Sequence, residues 1–240
     1  MSSTNFTRRQ FIYTTAIAGA AAMSGFAATK PKARLLSAND KLNIGVVGAG
    51  GKGSSDTDHC SSENIVARCD VDARTLASRK EKYPKANTYN DWRVMLEKEK
   101  SLDAVIVATP DHMHAPQAMS SMNIGLHVYC QKPLAHDLYE IRRLTETARR
   151  KRLVSQMGIQ IHSAAEYRAA VQIIQAGAIG KVKEVHSWSN KKWGDMNPLP
   201  DRTDPVPPTL NWDLWLGTAA ARPYIDGVYH PGNWRKRVDF

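Results

Sequence analysis

Between positions 41 and 158 two hydrophobic rhythms take turns along the chain. Apolar runs at 42–47, 64–70, 103–110, 127–130 and 153–158 are short enough for buried strands, and helical patterns over 72–83, 91–98, 114–123 and 137–152 stand between them. One more helix opens in the polar stretch "GAGGKG" at 48–53. The last helix has the clearest start. Asp137 and Glu140 stand at capping-box spacing, and Leu138, Ile141, Leu144 and Ala148 follow at helical spacing. Strand and helix alternating without an internal repeat predict βαβ units, hence the α/β class with a doubly wound parallel sheet.

Beyond 160 the pattern thins. A helix and a turn at Gly177 and Gly180 lead to one expected strand over 182–189, and a Pro- and Trp-rich loop follows. Before 41 the chain reads differently. Thr7-Arg8-Arg9-Gln10-Phe11-Ile12 precedes an alanine-rich run to Met23, with small residues at Gly25 and Ala27. This resembles a twin-arginine export signal over 1–29, followed by a polar linker over 30–40. The apolar run is too short and too mild for a membrane span, so the expectation is an exported, periplasmic or extracytoplasmic protein without a stable span after cleavage.

The formal charge of +10 changes this picture little, because five basic residues and one acid of that balance lie before Lys41. The one basic cluster, Arg149-Arg150-Lys151-Arg152, sits where a predicted helix ends and a positive charge suits the helix dipole. Nucleic acid is not an expected partner. The three cysteines, Cys60, Cys69 and Cys130, have no metal-type spacing, and two of them end apolar runs, so buried free thiols are expected.

Candidate chemistry gathers at the ends of the predicted strands. Gly48, Gly50 and Gly53 form G-x-G-x-x-G directly after the first strand. There the first glycine permits a tight turn, the second admits a pyrophosphate and the third brings helix and strand close. Asp70 ends the second strand, where a carboxylate accepts from ribose hydroxyls and repels a 2′-phosphate; NAD is therefore favoured over NADP, with Arg74 nearby as the opposing signal. "ATPDHMHA" at 108–115 follows a further strand, which makes Thr109, Pro110 and His114 candidates for the cofactor crevice. His112 and His114 also form H-x-H, but no matching ligand set accompanies them; no metal is expected, and one histidine should pack beside the cofactor while the other stays exposed. Lys132 and Pro133 end the next strand, an awkward place for a charge unless it has work to do.

Together these residues resemble the Gfo/Idh/MocA oxidoreductases, whose motifs match at Gly48-x-Gly50-x-x-Gly53, "CDVD" at 69–72, "TPDHMH" at 109–114, "QKP" at 131–133 and "GIQIHSAAEYRAAVQIIQAGAIGKVKEVHSWSN" from 158. The resemblance implies a Rossmann NAD-binding domain over 41–160, and a partial, truncated substrate domain with an open α/β sheet over 161–240. It places Lys132 beside the nicotinamide and the reacting hydroxyl, with Pro133 fixing its direction, and puts Gln160, His162, Trp193 and His230 on the substrate side. The implied activity is NAD(P)-dependent oxidation of a sugar or polyol CH–OH group with a tightly held cofactor. Alternatives are an NAD-using glycosidase or lyase, or a non-catalytic dinucleotide-binding remnant. Self-association stays open. Two departures stand out. Gln131 replaces the family's glutamate, which should ease deprotonation of Lys132. Asp226 and His230 have the spacing of the family's acid/base pair but lie in a substrate-side loop rather than its motif.

Overall fold

Every strand that forms is paired in parallel, and the order along the sheet is β3-β2-β1-β4-β5-β6. The strands are β1 (Asn43–Val47), β2 (Asn64–Cys69), β3 (Asn87–Tyr89), β4 (Ala104–Val107), β5 (His127–Gln131) and β6 (Ser155–Gly158). Helices α1 (Gly51–His59), α2 (Ala73–Ser78), α3 (Trp92–Lys98), α4 (His114–Asn123) and α5 (Leu138–Lys151) connect them. The computed structural model describes residues 37, 39–191, 194, 195 and 197–240, all within one compact unit, Ala33–Phe240. The export-signal expectation lies outside the described residues.

The two faces of the sheet follow from how apolar positions alternate. Ile44 and Val46 of β1 share one face with Ile106 of β4, whereas Val47, Val105 and Val107 join a larger cluster on the other. Met95 and Leu96 of α3, Ala118 and Met122 of α4, and Leu144 and Ala148 of α5 complete that larger cluster. Strands covered on both faces read as continuous apolar runs, which is why β1 and β4 were legible. The α5 stripe is buried only in part: Leu144 is 1% exposed, but Leu138 in the first turn is 83% exposed.

Acidic caps fix where helices begin. Asp72, Asp91 and Asp137 accept from backbone N–H groups in the first turns of α2, α3 and α5. Each such cap is worth about 1 kcal/mol. Buried Arg68 closes the far end of α2, donating to the carbonyls of Leu76 (3.3 Å) and Thr75 (3.5 Å).

Three elements depart from expectation, the first being the helix expected over 72–83, which stops at Ser78. The three-residue edge strand β3 has no apolar run to announce it and pairs only with β2. No strand forms over 182–189, where Val185 and Trp188 are 79% and 86% exposed. A strand takes its ladder from a neighbour, and the described residues offer it none. Helix α6 (Ala165–Gln175) likewise buries no residue.

The chain then returns to the carboxyl edge of the sheet. Ala73 N–H donates to Thr209 O (2.8 Å) and Asn211 N–H to Val71 O (2.9 Å), docking short helix α7 (Trp212–Leu216) beside β2. Trp215, Tyr224, Tyr229, Trp234 and Phe240 form a separate aromatic core there. Among the described residues no helix is long and apolar enough to cross a membrane.

Candidate functional site

The doubly wound order makes the loops after β1 and β4 diverge, leaving a crevice at their carboxyl ends. A cleft of about 300 Å³ occupies it. Gly48, Gly50, Asp70, Thr109 and Pro110 line one side, as their positions in the sequence predict, and Trp215, His230, Trp234 and Arg235 line the other.

The glycine loop is shaped by what a side chain would strike. Gly48 turns with φ +82°, and a Cβ there would stand 2.7 Å from the Ala108 carbonyl. A Cβ on Gly53 would stand 1.8 Å from Gly48 O, so α1 approaches β1 only because that atom is missing. No side chain caps α1, which leaves its first-turn N–H groups facing the loop. That is the donor set an anionic diphosphate requires.

Asp70 stands across from that helix end. Its carboxylate accepts from Gly50 N–H (3.2 Å) and Asp72 N–H (3.0 Å). Burial raises its pKa, and those two backbone donors oppose the rise. Arg74, the residue that spoke for a 2′-phosphate, is clasped by the Asp72 carboxylate through Nη2 (2.8 Å) and Nε (3.1 Å). Uncapped N–H donors, missing Cβ atoms and a carboxylate at the ribose position together fit a dinucleotide.

The other expected residues are placed as follows. Thr109 Oγ1 donates to Gln117 Oε1 (2.8 Å) at the cleft wall. Lys132 and Pro133 are exposed just past β5, joined by a cis peptide, and are not among the cleft's lining residues. His114 stands behind the wall at 1% exposure, and His112 is also buried, so neither histidine is the exposed one that was expected. Among the described residues no group of acids, histidines and cysteines could hold a metal. Gln160 and His162 are exposed, with His162 stacked on Tyr167 at 5.0 Å. Trp193 lies outside the described residues. His230 reaches the cleft, and burial lowers its pKa; Asp226 instead accepts from Tyr224 Oη (2.9 Å).

Gln131 has a partner that the sequence does not announce. Its amide is buried and donates to Asp56 Oδ2 on α1 (2.6 Å), and Asp56 also pairs with Lys52 of the glycine loop. The glutamine thus answers a carboxylate beneath the sheet end. Burial pushes the Cys130 thiol, one residue earlier, up to about 12, which makes it inert packing.

His112 was missed as a joint. Its Nε2–H donates to Leu216 O (3.0 Å), and its ring meets Phe240 edge-on at 5.0 Å. Gly217 fits against the same turn so tightly that a Cβ would stand 2.2 Å from Met113 Sδ. Arg235 carried no local signal in the sequence; only the fold brings "NWR" to the glycine loop.

Residues 42–159 match the Gfo/Idh/MocA family model, described as an oxidoreductase family with an NAD-binding Rossmann fold. Over this segment the chain is similar to the Gfo/Idh/MocA family. Among curated relatives, inositol 2-dehydrogenase of Salmonella typhimurium is 32% identical over 155 residues, covering 60% of this chain and 45% of the relative. Levoglucosan dehydrogenase of Pseudarthrobacter phenanthrenivorans is 23% identical over 202 residues, covering 79% and 49%. A solved scyllo-inositol dehydrogenase of Lactobacillus casei with bound NAD(H) and scyllo-inositol superposes with TM-score 0.55 at 25% identity, over 59% of this chain and 43% of that one. The chain spans about half the length of the curated relatives it matches.

Proposed function

We propose that this protein is an exported NAD-dependent oxidoreductase that removes hydride from a hydroxyl-bearing carbon of a sugar or polyol. The observation that carries the reading is the placement of Gly48, Asp70, Thr109 and Lys132 at the carboxyl ends of four strands of one sheet, β1, β2, β4 and β5. The α1 N–H groups would hold the diphosphate, and Asp70 the adenosine ribose. Arg74 is committed to Asp72, which favours NAD over NADP. Bound there, the nicotinamide supplies a hydride acceptor. Lys132 would accept the hydroxyl proton on its amine as hydride leaves the carbon, and the ammonium so formed then donates to the new carbonyl oxygen. Trp215 and Trp234 close the cleft on the side facing the glycine loop, and residues 161–240 would supply the substrate side. Export rests on the twin arginines Arg8 and Arg9.

Titration of the full chain with NAD and NADP, followed by tryptophan fluorescence, should show tighter binding of NAD. Screening inositols and anhydrosugars for appearance of reduced nicotinamide then tests turnover. Lys132→Met should lower kcat at least about a hundredfold with NAD affinity kept, since both electrostatic and proton-transfer help are lost. No binding of either nucleotide would end the reading. Binding without turnover on any polyol would reduce it to a dinucleotide-binding protein, and release of a chromogenic aglycone without net nicotinamide change would make it a glycosidase. Replacing both arginines with lysine should keep a fused reporter in the cytoplasm.

A further inference from the structure

His114 lies within 2.6 Å of the Pro133 carbonyl through Nδ1 and within 2.8 Å of the Thr109 carbonyl through Nε2. Both neighbours are acceptors only. A ring that donated once would turn a lone pair on the second oxygen, so this geometry is satisfied in full by N–H donation from both nitrogens. Asp111, three positions earlier, places an opposed charge within electrostatic reach of both His114 and Lys132.

The location explains the need. The β4–β5 ladder ends at Val107↔Cys130, and beyond it both chains carry a proline, Pro110 and Pro133, that has no N–H to extend the pairing. Thr109 O and Pro133 O would be left without a partner just where the cleft wall and Lys132 must be aimed. Both bonds to His114 are part-buried, and a carbonyl turned away from water gains from a donor in its place. His114, 1% exposed at the start of α4, spans the two chains where the ladder stops.

We infer that His114 is a positioning residue that clamps the Thr109 and Pro133 carbonyls with two ring N–H donors, and so sets the direction of Lys132. The role of Lys132 rests on the oxidoreductase reading; the clamp does not, and its test needs no turnover. In the full chain labelled with ¹⁵N-histidine, with the His114 signals assigned by their loss in His114→Gln, both ring nitrogens should resonate as N–H. A lone-pair nitrogen on His114 would overturn the clamp. Amine labelling read by mass spectrometry then reports on Lys132, with Lys98 on α3 as the internal reference. His114→Ala should change the Lys132 rate at least about threefold and leave Lys98 alone, and His114→Gln, which can restore one donor, should fall between. An unchanged Lys132 rate in a folded His114→Ala would overturn the positioning role. Should His114→Ala not fold, the ring spectrum of the native chain and the Gln variant decide.

Discussion

A missing methyl group decides the glycine loop. Alanine at position 53 would gain about 1 kcal/mol of helix propensity, yet its Cβ would stand 1.8 Å from a backbone oxygen that has nowhere to yield. Overpacking of that kind costs roughly 1–3 kcal/mol or more. Gly53→Ala should therefore lower denaturant stability by at least about 1 kcal/mol and abolish NAD binding; a variant as stable as the parent would refute the close approach. Gln131 gives a second test at this scale. Gln131→Glu puts two carboxylates where an amide now meets Asp56 at 2.6 Å, so one must hold a proton or the pair must part. Stability at neutral pH should fall, and Asp56→Asn in the same chain should recover most of it. A double-mutant cycle showing no coupling would mean that the contact carries no energy.

His112 contributes a pH dependence. Burial lowers its pKa from 6.5 to about 4. Over that interval the unfolded chain binds a proton that the folded chain refuses, so stability falls as pH drops from 6.5 toward 4. His112→Gln should flatten the slope of melting temperature against pH in that window and leave it alone above pH 7. An unchanged slope would show that the ring is not held neutral.

Among the elements, most of what could be read locally was read correctly, although the helix expected over 72–83 stops at Ser78. β1, β4, β5 and α4 are announced by runs and periods within their own residues, and the caps at Asp72, Asp91 and Asp137 are set by their own first turns. Gly48, Gly50, Asp70, Thr109 and Pro110 were legible for the same reason, because the motif and the strand that presents it are contiguous. β3 was missed because its three residues owe their ladder entirely to β2. The strand expected at 182–189 failed for the complementary reason: strand-like residues without a neighbour do not make a ladder. Gln131–Asp56 and His112–Leu216 join residues 75 and 104 positions apart, and no local pattern encodes a partner that distant.

In the molecule as a whole, the cleft has walls from two remote stretches of chain, the strand ends and the aromatic segment after Thr209. Their joint is narrow. Gly217, at φ +53°, leaves no room for a Cβ beside Met113. Gly217→Ala should push the aromatic segment outward, speeding protease cuts between 205 and 240 and weakening NAD binding together. Cleavage and affinity that both match the parent would show that the joint is slack.

That two-walled construction makes any occupant of the cleft a crosslink. A molecule touching both Gly50 and Trp234 binds only the docked arrangement, so its binding free energy is added to the adhesion between segments almost two hundred residues apart. Linkage follows: the occupant holds the aromatic segment down, and a change that lowers the docked fraction weakens the occupant in proportion. Retention of the cofactor is in this sense distributed, and part of it is written into His112 and Gly217, neither of which lines the cleft.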